Sequence, residues 1–318
     1  MLKIKELFKI ENKPRRGLLT LEWIMLAYMA LTTLLMLFMF TKVQNPESML
    51  WGRLRIIVIT LAMWGVYRLV PCRITCFARI AVQMALLGWW YPDTYEFNRL
   101  FPNLDHLFAQ WEQDIFGCQP ALHFYDVFSN KVFSELMHLG YSSYYPMIAA
   151  IVLYCLLKKY DMMERAATII MASFFIYYII YIALPVAGPQ YYYLAVGTDQ
   201  IAKGVFPNVH DYFMNNQECL PIPGWKDGFF YEMVQNAHDA GERPTAAFPS
   251  SHVGVSTVVM FLAWKTGSRR LLLCMLPLYV LLCFSTVYIQ AHYAIDALAG
   301  MISGTILFFT LWFALRLR

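Results

Sequence analysis

Two short stretches in the last quarter of the chain contain the side chains best suited to chemistry. They are residues 247–252, with the sequence AFPSSH, and residues 285–296, with the sequence STVYIQAHYAID. His292 and Asp296 are four residues apart, which places them on one face if that turn is helical. A carboxylate bonded to one imidazole nitrogen fixes the tautomer and leaves the other nitrogen free to react. Two histidines and an aspartate beside an anion pocket suit phosphoryl transfer without a metal or another cofactor.

The spacing of the two histidines predicts that they lie at the same membrane face. Thirty-nine residues separate His252 from His292, and two spans of about 20 residues joined by a short basic turn use up that length. Ser250 and Ser251 follow a proline and are predicted to open the first of these helices. A serine N-cap leaves backbone N–H groups free to bind an anion. Alternatively, His252 is an interfacial polar residue and Asp296 a helix-start acid favoured by the dipole.

The composition indicates that these elements are embedded in a membrane. Of the 318 residues, 59% are hydrophobic, 17% aromatic and 14% charged, whereas a soluble domain has about 45–50% apolar and about 25% charged residues. The net charge of +4 is too small, and the basic residues too scattered, for a nucleic-acid partner. The seven cysteines include no CxxC pair, so we expect no zinc site.

The pattern of apolar runs predicts an all-α polytopic protein, a bundle of about eight transmembrane helices forming one domain over residues 1–318. A span needs roughly 20 mostly apolar residues. Residues 136–318 are the predicted catalytic core, and residues 1–135 supply N-terminal helices and an outer loop. Short amphipathic helices near residues 105–111 and 124–128 lie on the outer surface or form a packed cap. The predicted spans are residues 20–41, 54–70, 74–91, 138–157, 166–186, 249–265, 271–288 and 295–315.

The distribution of basic residues predicts the orientation. With the N-terminus inside, the inner segments hold 15 Lys and Arg residues and the outer segments hold 8, as the positive-inside rule requires. Both termini are therefore expected in the cytoplasm. The two histidines are expected at the periplasmic or lumenal face.

The two stretches resemble known signatures. The PSxH and S-x6-H-x3-D elements are similar to the second and third signatures of the type 2 phosphatidic acid phosphatase superfamily, which shares its site with vanadium haloperoxidases. The resemblance covers roughly residues 136–318. It implies that His292 is a nucleophile forming a phosphohistidine, that Asp296 orients it, and that His252 is the general acid.

Departures from the phosphatase pattern favour one branch. Thr286 stands where the phosphatases usually have Arg, and no K-x6-R-P string precedes the site. The Ser-Thr-x-Tyr start and the AHYAID end look like the inositol phosphorylceramide synthases of fungi and their bacterial relatives. That likeness implies transfer of phosphoinositol from phosphatidylinositol, the donor, to ceramide, the acceptor lipid, in sphingolipid metabolism. The alternatives are a lipid phosphate phosphatase with water as acceptor and a non-enzymatic transporter or scaffold.

Several further residues are candidates for the substrate site. Arg243 is the first choice for a phosphate ligand, with a solvated loop charge as the alternative. Gln190 and Tyr191, at the end of the fifth predicted span, either line the lipid entrance or belong to an interfacial aromatic belt. His138 and Tyr141, at the outer start of the fourth, could reach the pocket.

The two cysteines outside the apolar spans suggest a disulfide. Cys118 and Cys219 both fall in predicted outer loops, on the side of the membrane where disulfides persist. A bond would tie the two loops together and restrain the segment leading to His252. The alternative is two unpaired thiols buried in separate loops.

Overall fold

The computed structural model describes residues 4–239 and 241–315, and the all-α prediction is confirmed. The helices of the described part are α1 (Ile4–Leu7), α2 (Thr20–Phe38), α3 (Pro46–Leu69), α4 (Arg73–Ala85), α5 (Leu87–Asn98), α6 (Asp105–Phe116), α7 (Pro120–Val127), α8 (Lys131–Ser142), α9 (Tyr144–Lys158), α10 (Tyr160–Ala183), α11 (Pro189–Val196), α12 (Thr198–Ala202), α13 (Phe229–Asp239), α14 (Ser251–Lys265), α15 (Arg269–Tyr288) and α16 (Ala294–Ala314). One 3-10 turn covers Tyr212–Met214.

The prediction of about eight spans is wrong. Among the described residues, five helices are long and apolar enough to cross a membrane: α2, α3, α10, α15 and α16. A sixth span arises if α8 and α9, which meet at a bend of 48°, cross together. The protein is therefore a multi-pass membrane protein with five or six candidate spans.

Local breaks explain the lower number. The predicted span 74–91 is divided between α4 and α5, and Pro92 lies within α5, where it removes a backbone donor. The predicted span 249–265 becomes α14, which has only 15 residues. The Ser250 side chain caps its start, and Gly267 adopts a φ of +75° just beyond its end. An apolar run alone does not reveal such caps and breaks.

The centre of the bundle is formed by α10 and the three last helices. In α10, 78% of the most apolar window is buried, against 22–39% in the other four single-helix candidates. Helix α14 packs against α10, α15 and α16. Glycines allow the close approach of α14 and α16: a Cβ on Gly304 would lie 2.3 Å from the Gly254 carbonyl oxygen, and one on Gly300 would lie 2.5 Å from that of Ser250. Small residues at helix contacts serve this purpose in membranes.

The N-terminal helices pack on the other side of α10 and are joined by buried ion pairs. Arg79 of α4 binds Glu22 of α2 at 2.5 Å, and both side chains are fully buried. Arg53 of α3 binds Asp93 of α5 at 2.9 Å with the two carboxylate oxygens engaged. Because a charge buried without a partner is costly, these pairs fix the arrangement of α2–α5.

The short helices α6 and α7 lie where the sequence predicts surface helices. One face of α6 is buried, with Asp105, Phe108 and Glu112 turned inward. Its opposite face exposes Trp111 and Ile115. Helix α6 therefore combines a packed cap with an exposed apolar face.

The predicted disulfide between Cys118 and Cys219 is not formed in the structure, and both residues are free thiols. Cys118 follows the left-handed turn at Gly117 that ends α6. The Cys219 sulfur instead lies 3.5 Å from the Nε2 atom of His238 on α13. The two loops are therefore not joined by a covalent bond between these cysteines.

Candidate active site

The structure brings His252 and His292 into contact. His252 lies in the first turn of α14, and His292 lies in the five-residue turn between α15 and α16. The Nε2 atom of His292 is 3.4 Å from the Nδ1 atom of His252. The two helices between them run away from this point and return to it, as the spacing predicts.

The hydrogen bond on the other ring nitrogen defines the state of His292. Its Nδ1 atom lies 2.8 Å from the carbonyl oxygen of Ala247. A carbonyl can only accept, so Nδ1 carries the proton and Nε2 presents its lone pair. Burial lowers the pKa of His292 from 6.5 to about 4. At neutral pH, His292 is therefore an uncharged imidazole with a free nitrogen directed at His252.

Asp296 lies close to His292 but is not its hydrogen-bond partner. Its Oδ2 atom is 3.7 Å from Nδ1 of His292, and it accepts a 2.9 Å hydrogen bond from the backbone N–H of Tyr293. The orienting contact that the sequence suggests for Asp296 is made by the Ala247 carbonyl. At 3.7 Å, the carboxylate can stabilise positive charge on the imidazole through space.

A second buried carboxyl group, Glu112 of α6, lies beside the start of α16. Its Oε2 atom accepts a hydrogen bond of 3.3 Å from the backbone N–H of Ile295. The other oxygen, Oε1, and the Oδ1 atom of Asp296 are both buried, without a hydrogen-bond partner among the described residues. Burial, followed by the charge of Asp296, raises the pKa of Glu112 to about 8. Glu112 therefore carries a proton at neutral pH.

Contacts from α15 and from the Asp105 side chain of α6 hold the turn that contains His292. The His292 N–H donates to the Thr286 carbonyl at 3.0 Å, so Thr286 shapes the turn through its backbone. The carboxylate of Asp105 accepts from the Tyr293 hydroxyl and from the backbone N–H groups of residues 187 and 188. Burial raises the pKa of Asp105 to about 6 despite these bonds. Asp105 thus ties the loop before α11 to the start of α16.

The start of α14 uses most of its free backbone donors within the protein. The Ser250 side chain accepts from the Val253 N–H. The Ser251 N–H donates to the Tyr181 hydroxyl at 2.9 Å, and that hydroxyl donates to the Pro249 carbonyl at 3.0 Å. Fewer backbone N–H groups are therefore free to bind an anion at Ser250 and Ser251 than at a helix end without such bonds. Tyr181 keeps the turn in place before His252.

Two tyrosines hold the ring of His252. Tyr141 of α8 is stacked on it with ring centroids 4.7 Å apart, and Tyr144 of α9 lies at 4.5 Å. Tyr141 thus reaches the site, as the sequence predicts. A cavity of about 740 Å³ opens beside this face of His252. Among the described residues that line it, none is Lys or Arg, and the charged residue there is Glu242.

The remaining candidates lie next to the cavity or away from it. Arg243 is half-buried, and its guanidinium donates to the Glu242 carbonyl at 3.0 Å. Gln190 is buried. Its backbone forms hydrogen bonds with Gln290, in the turn that contains His292, and with Leu220, in the long loop between α12 and α13. Tyr191 packs against Phe213. Gln190 therefore supports the turn that contains His292, and Tyr191 packs against the long loop.

His138 is turned away from His252 and His292. Its side chain is fully buried, and its Nε2 atom contacts the carbonyl oxygen of Pro223 at 3.2 Å. Tyr231 of α13 packs edge-on against its ring at 5.1 Å. His138 therefore connects α8 to the long loop instead of lining the cavity.

Sequence reasoning missed Tyr181, Glu112, Asp105 and Glu242. Tyr181 lies inside an apolar span, where nothing in the sequence distinguishes it from a packing residue. Asp105 and Glu112 are seven residues apart, which places both on one face of α6. That spacing could have indicated two inward-facing carboxyl groups. The described residues contain no group of three or more His, Cys, Asp or Glu side chains that could hold a metal ion.

Comparison with known proteins supplies one match. The family model described as the PAP2 superfamily matches residues 106–310, well over half of the chain. The matched region begins in α6 and includes both histidines and Asp296. No curated protein and no solved structure matches the chain.

Proposed function

The chain belongs to the PAP2 superfamily, whose members are generally lipid phosphatases or phosphotransferases, and on that premise we propose that it is a phospholipid head-group transferase. The proposed reaction moves phosphoinositol from phosphatidylinositol to the hydroxyl group of ceramide and releases diacylglycerol. The support for this head group and acceptor is the sequence of residues 285–296 and its likeness to inositol phosphorylceramide synthases. The proposed partners are therefore a phospholipid donor and a lipid acceptor, both drawn from the bilayer.

The observation that carries the proposal is the state of His292. Its Nδ1–H is held by the Ala247 carbonyl, and its unprotonated Nε2 lies 3.4 Å from His252. A nucleophile needs a free lone pair and a nearby acid for the leaving group. A separation of 3.4 Å leaves no room for a phosphoryl group between the rings, so substrate must move the His252 ring as it enters.

The proposed mechanism has two steps. Burial and the neighbouring His292 lower the pKa of His252 to about 3, so the negative charge of the bound donor phosphate must first bring a proton to this imidazole. Nε2 of His292 then attacks phosphorus, and the bond from phosphorus to the diacylglycerol oxygen breaks as protonated His252 gives that proton to the oxygen. The ceramide hydroxyl then gives its proton to His252, and its oxygen attacks phosphorus as the bond to His292 breaks. Asp296, 3.7 Å from the ring, stabilises the positive charge that develops on His292.

Two features favour transfer over hydrolysis. Thr286 stands in place of the arginine usual in phosphatases, and its side chain is fully buried, with its hydroxyl donating to the Cys283 carbonyl. The cavity beside His252 is lined mainly by apolar side chains. An apolar cavity favours a lipid hydroxyl over water as the acceptor.

The proposed location follows from the charge distribution. Six Lys and Arg residues lie in residues 1–19, three in residues 265–270 and two in residues 316–318, which supports the cytoplasmic side for both termini and for the turn before α15. The histidine pair would then face the periplasm or a lumen. The reaction would take place at the outer leaflet.

The test is incubation of purified protein with head-group-labelled phosphatidylinositol, with and without ceramide, followed by separation of the products. We expect labelled inositol phosphorylceramide only when ceramide is present, with little labelled water-soluble phosphate. Ceramide-independent release of phosphate from phosphatidic acid would contradict transfer and would support the phosphatase. No reaction with any lipid would contradict an enzymatic function.

A further inference from the structure

The cavity of about 740 Å³ beside His252 has one polar end and a long apolar wall. The size lies within the range of about 300–1,000 Å³ typical of small-molecule sites. Three residues, Ser251, His252 and Glu242, form the polar end. The cavity is open on its apolar side, where Gly88, Tyr145 and Leu153 are exposed. An occupant can therefore keep its polar group at His252 and extend its chain into the bilayer.

Much of the apolar wall comes from helices outside the region of the family match, which begins at residue 106. The opposite wall is formed by α8, α9 and α10. The lining residues from α4 and α5 are Phe77, Ala81, Met84, Ala85, Leu87, Gly88, Tyr91 and Pro92. The N-terminal helices therefore line part of this cavity, although they lie outside the region that the family model matches.

The charged residues at the polar end of the cavity determine which polar group of a bound lipid can lie there. Burial raises the pKa of Glu242, and its carboxylate is near enough to the hydroxyl groups of Tyr91, Tyr141 and Tyr145 to act on them through space. With no Lys or Arg among the described lining residues, nothing there offsets a phosphate charge. A phosphate at this end would be buried without a Lys or Arg to pair with it, which is costly. A neutral hydroxyl can instead form a hydrogen bond with Glu242.

The position of His252 separates this cavity from the nucleophile. One side of His252 meets Nε2 of His292, and the cavity opens on another side. In the proposed mechanism, His252 protonates the leaving oxygen and later takes the proton from the incoming one. Both oxygens must therefore reach the same nitrogen of His252.

We propose that this cavity is the lipid-alcohol site of the enzyme, occupied first by the leaving diacylglycerol and then by the accepting lipid. The inference rests on the proposed function and adds its substrate class: a neutral lipid with a free hydroxyl near its polar end. The walls formed by α4 and α5 bind the hydrocarbon chain. Glu242 forms a hydrogen bond with the lipid hydroxyl at the polar end, and the phosphate of the donor lies on the His292 side of His252.

The test measures binding directly and does not need turnover. The full-length His292→Ala protein is incubated with a ceramide or a diacylglycerol that carries a photoactivatable diazirine in its chain. After irradiation, the labelled peptides are identified by mass spectrometry. We expect labels on α4, α5 and α9. We expect Ala81→Trp, which fills the cavity from α4, to lower this labelling by about tenfold, the effect of overpacking a buried site.

Matched controls separate filling of the cavity from general damage. Ala149→Trp fills the cavity from the opposite wall and should have the same effect as Ala81→Trp. Gly65→Trp on α3 adds the same side chain where a Cβ meets nothing within 4 Å, and it should leave labelling unchanged. Each variant is first checked for a single monodisperse peak in size-exclusion chromatography.

Three outcomes bear on the two proposals differently. Labelling that is confined to lipid-facing helices outside the cavity, or that both tryptophan fillings leave unchanged, would overturn the lipid-alcohol site. Equal labelling by a phosphatidic acid probe would overturn the preference of the polar end for a neutral hydroxyl group. Cavity labelling by neutral lipids, together with no head-group transfer by the unsubstituted protein, would overturn the proposed function and leave the alcohol site standing.

Discussion

At the scale of single residues, the chemistry depends on which nitrogen of His292 is free. The Ala247 carbonyl holds Nδ1–H at 2.8 Å, so Nε2 is the only ring atom able to attack. Burial keeps the imidazole uncharged down to about pH 4, because its pKa is lowered to that value. This pKa also affects the free energy of unfolding. Between pH 6.5 and about pH 4, His292 is protonated in the unfolded chain but not in the folded protein, so the folded protein loses stability as the pH falls through this range.

The first prediction concerns the nucleophile. His292→Ala should lower the rate of head-group transfer by at least about three orders of magnitude, as other nucleophile deletions do. Asp296→Asn should cost less, because the Ala247 carbonyl still orients the ring. The measurement is the transfer rate of each variant with saturating lipid. Equal losses in the two variants would contradict the assignment of the orienting role to Ala247.

The second prediction concerns Glu112. Glu112→Gln keeps both the acceptor for the Ile295 N–H and the donor toward Asp296 that the protonated carboxyl group provides, so its activity should stay near that of the unsubstituted protein. Glu112→Ala loses this hydrogen bond and should be destabilised by about 1–3 kcal/mol. The measurement is thermal unfolding in detergent together with the transfer rate. If Gln were as harmful as Ala, the protonated state of Glu112 would be refuted.

The pH dependence gives a third, separate prediction for Glu112. Its pKa is raised from 4.5 to about 8, so the folded state keeps a proton that the unfolded chain has already released. Stability should therefore fall as the pH rises from about 4.5 to about 8. Glu112→Gln should remove part of this fall. If the free energies of unfolding of the unsubstituted protein and of Glu112→Gln changed equally with pH over that range, the buried proton would be contradicted.

The sequence predicted that His252, His292 and Asp296 lie together, because their contexts and spacing are local patterns, and the structure places them in contact or within 3.7 Å. The sequence could not assign their contacts. Ala247 orients His292 through a carbonyl, an atom that every residue possesses. Glu112 and Glu242 reach the site from distant segments, and only the fold brings them there.

At the scale of helices, the distance between the histidines depends on how closely α14 and α16 pack. Gly254, Gly300 and Gly304 allow contact between the two backbones. The sequence predicted these two helices and their order. It overestimated the number of spans, because the break between α4 and α5 and the 15-residue length of α14 arise from caps and packing that hydropathy does not measure.

The fourth prediction tests this packing. Gly304→Ala places a Cβ 2.3 Å from the Gly254 carbonyl oxygen, so α16 must shift away from α14 and displace His292. A shift of about 1 Å can cost roughly a hundredfold in rate. The control is Gly65→Ala on α3, where the added Cβ meets nothing within 4 Å. Transfer rates that are the same in both variants would contradict the dependence of the site on this contact.

At the scale of the whole molecule, the charge distribution and the site imply a direction across the membrane. Six Lys and Arg residues lie in residues 1–19, three in residues 265–270 and two in residues 316–318, which favours the cytoplasm for both termini and for the turn between α14 and α15. The long loop between α11 and α14 would then lie outside, together with Glu242 and the entrance to the catalytic turn.

The fifth prediction concerns this orientation. Lys203 is exposed at the end of α12, so Lys203→Cys should react with a membrane-impermeant thiol reagent added from the periplasmic or lumenal side. A tag at the C-terminus should be cleaved by protease only from the cytoplasmic side. Reaction of Lys203→Cys from the cytoplasm would reverse the proposed topology.

The most direct test of the account is to trap the covalent intermediate. Protein is mixed with phosphatidylinositol labelled in its head group, quenched in alkali within a single turnover, and digested for mass spectrometry. We expect the phosphoinositol group on His292, its loss on addition of ceramide, and its absence in His292→Ala. Attachment to another residue, or full transfer by a folded His292→Ala protein, would contradict the account.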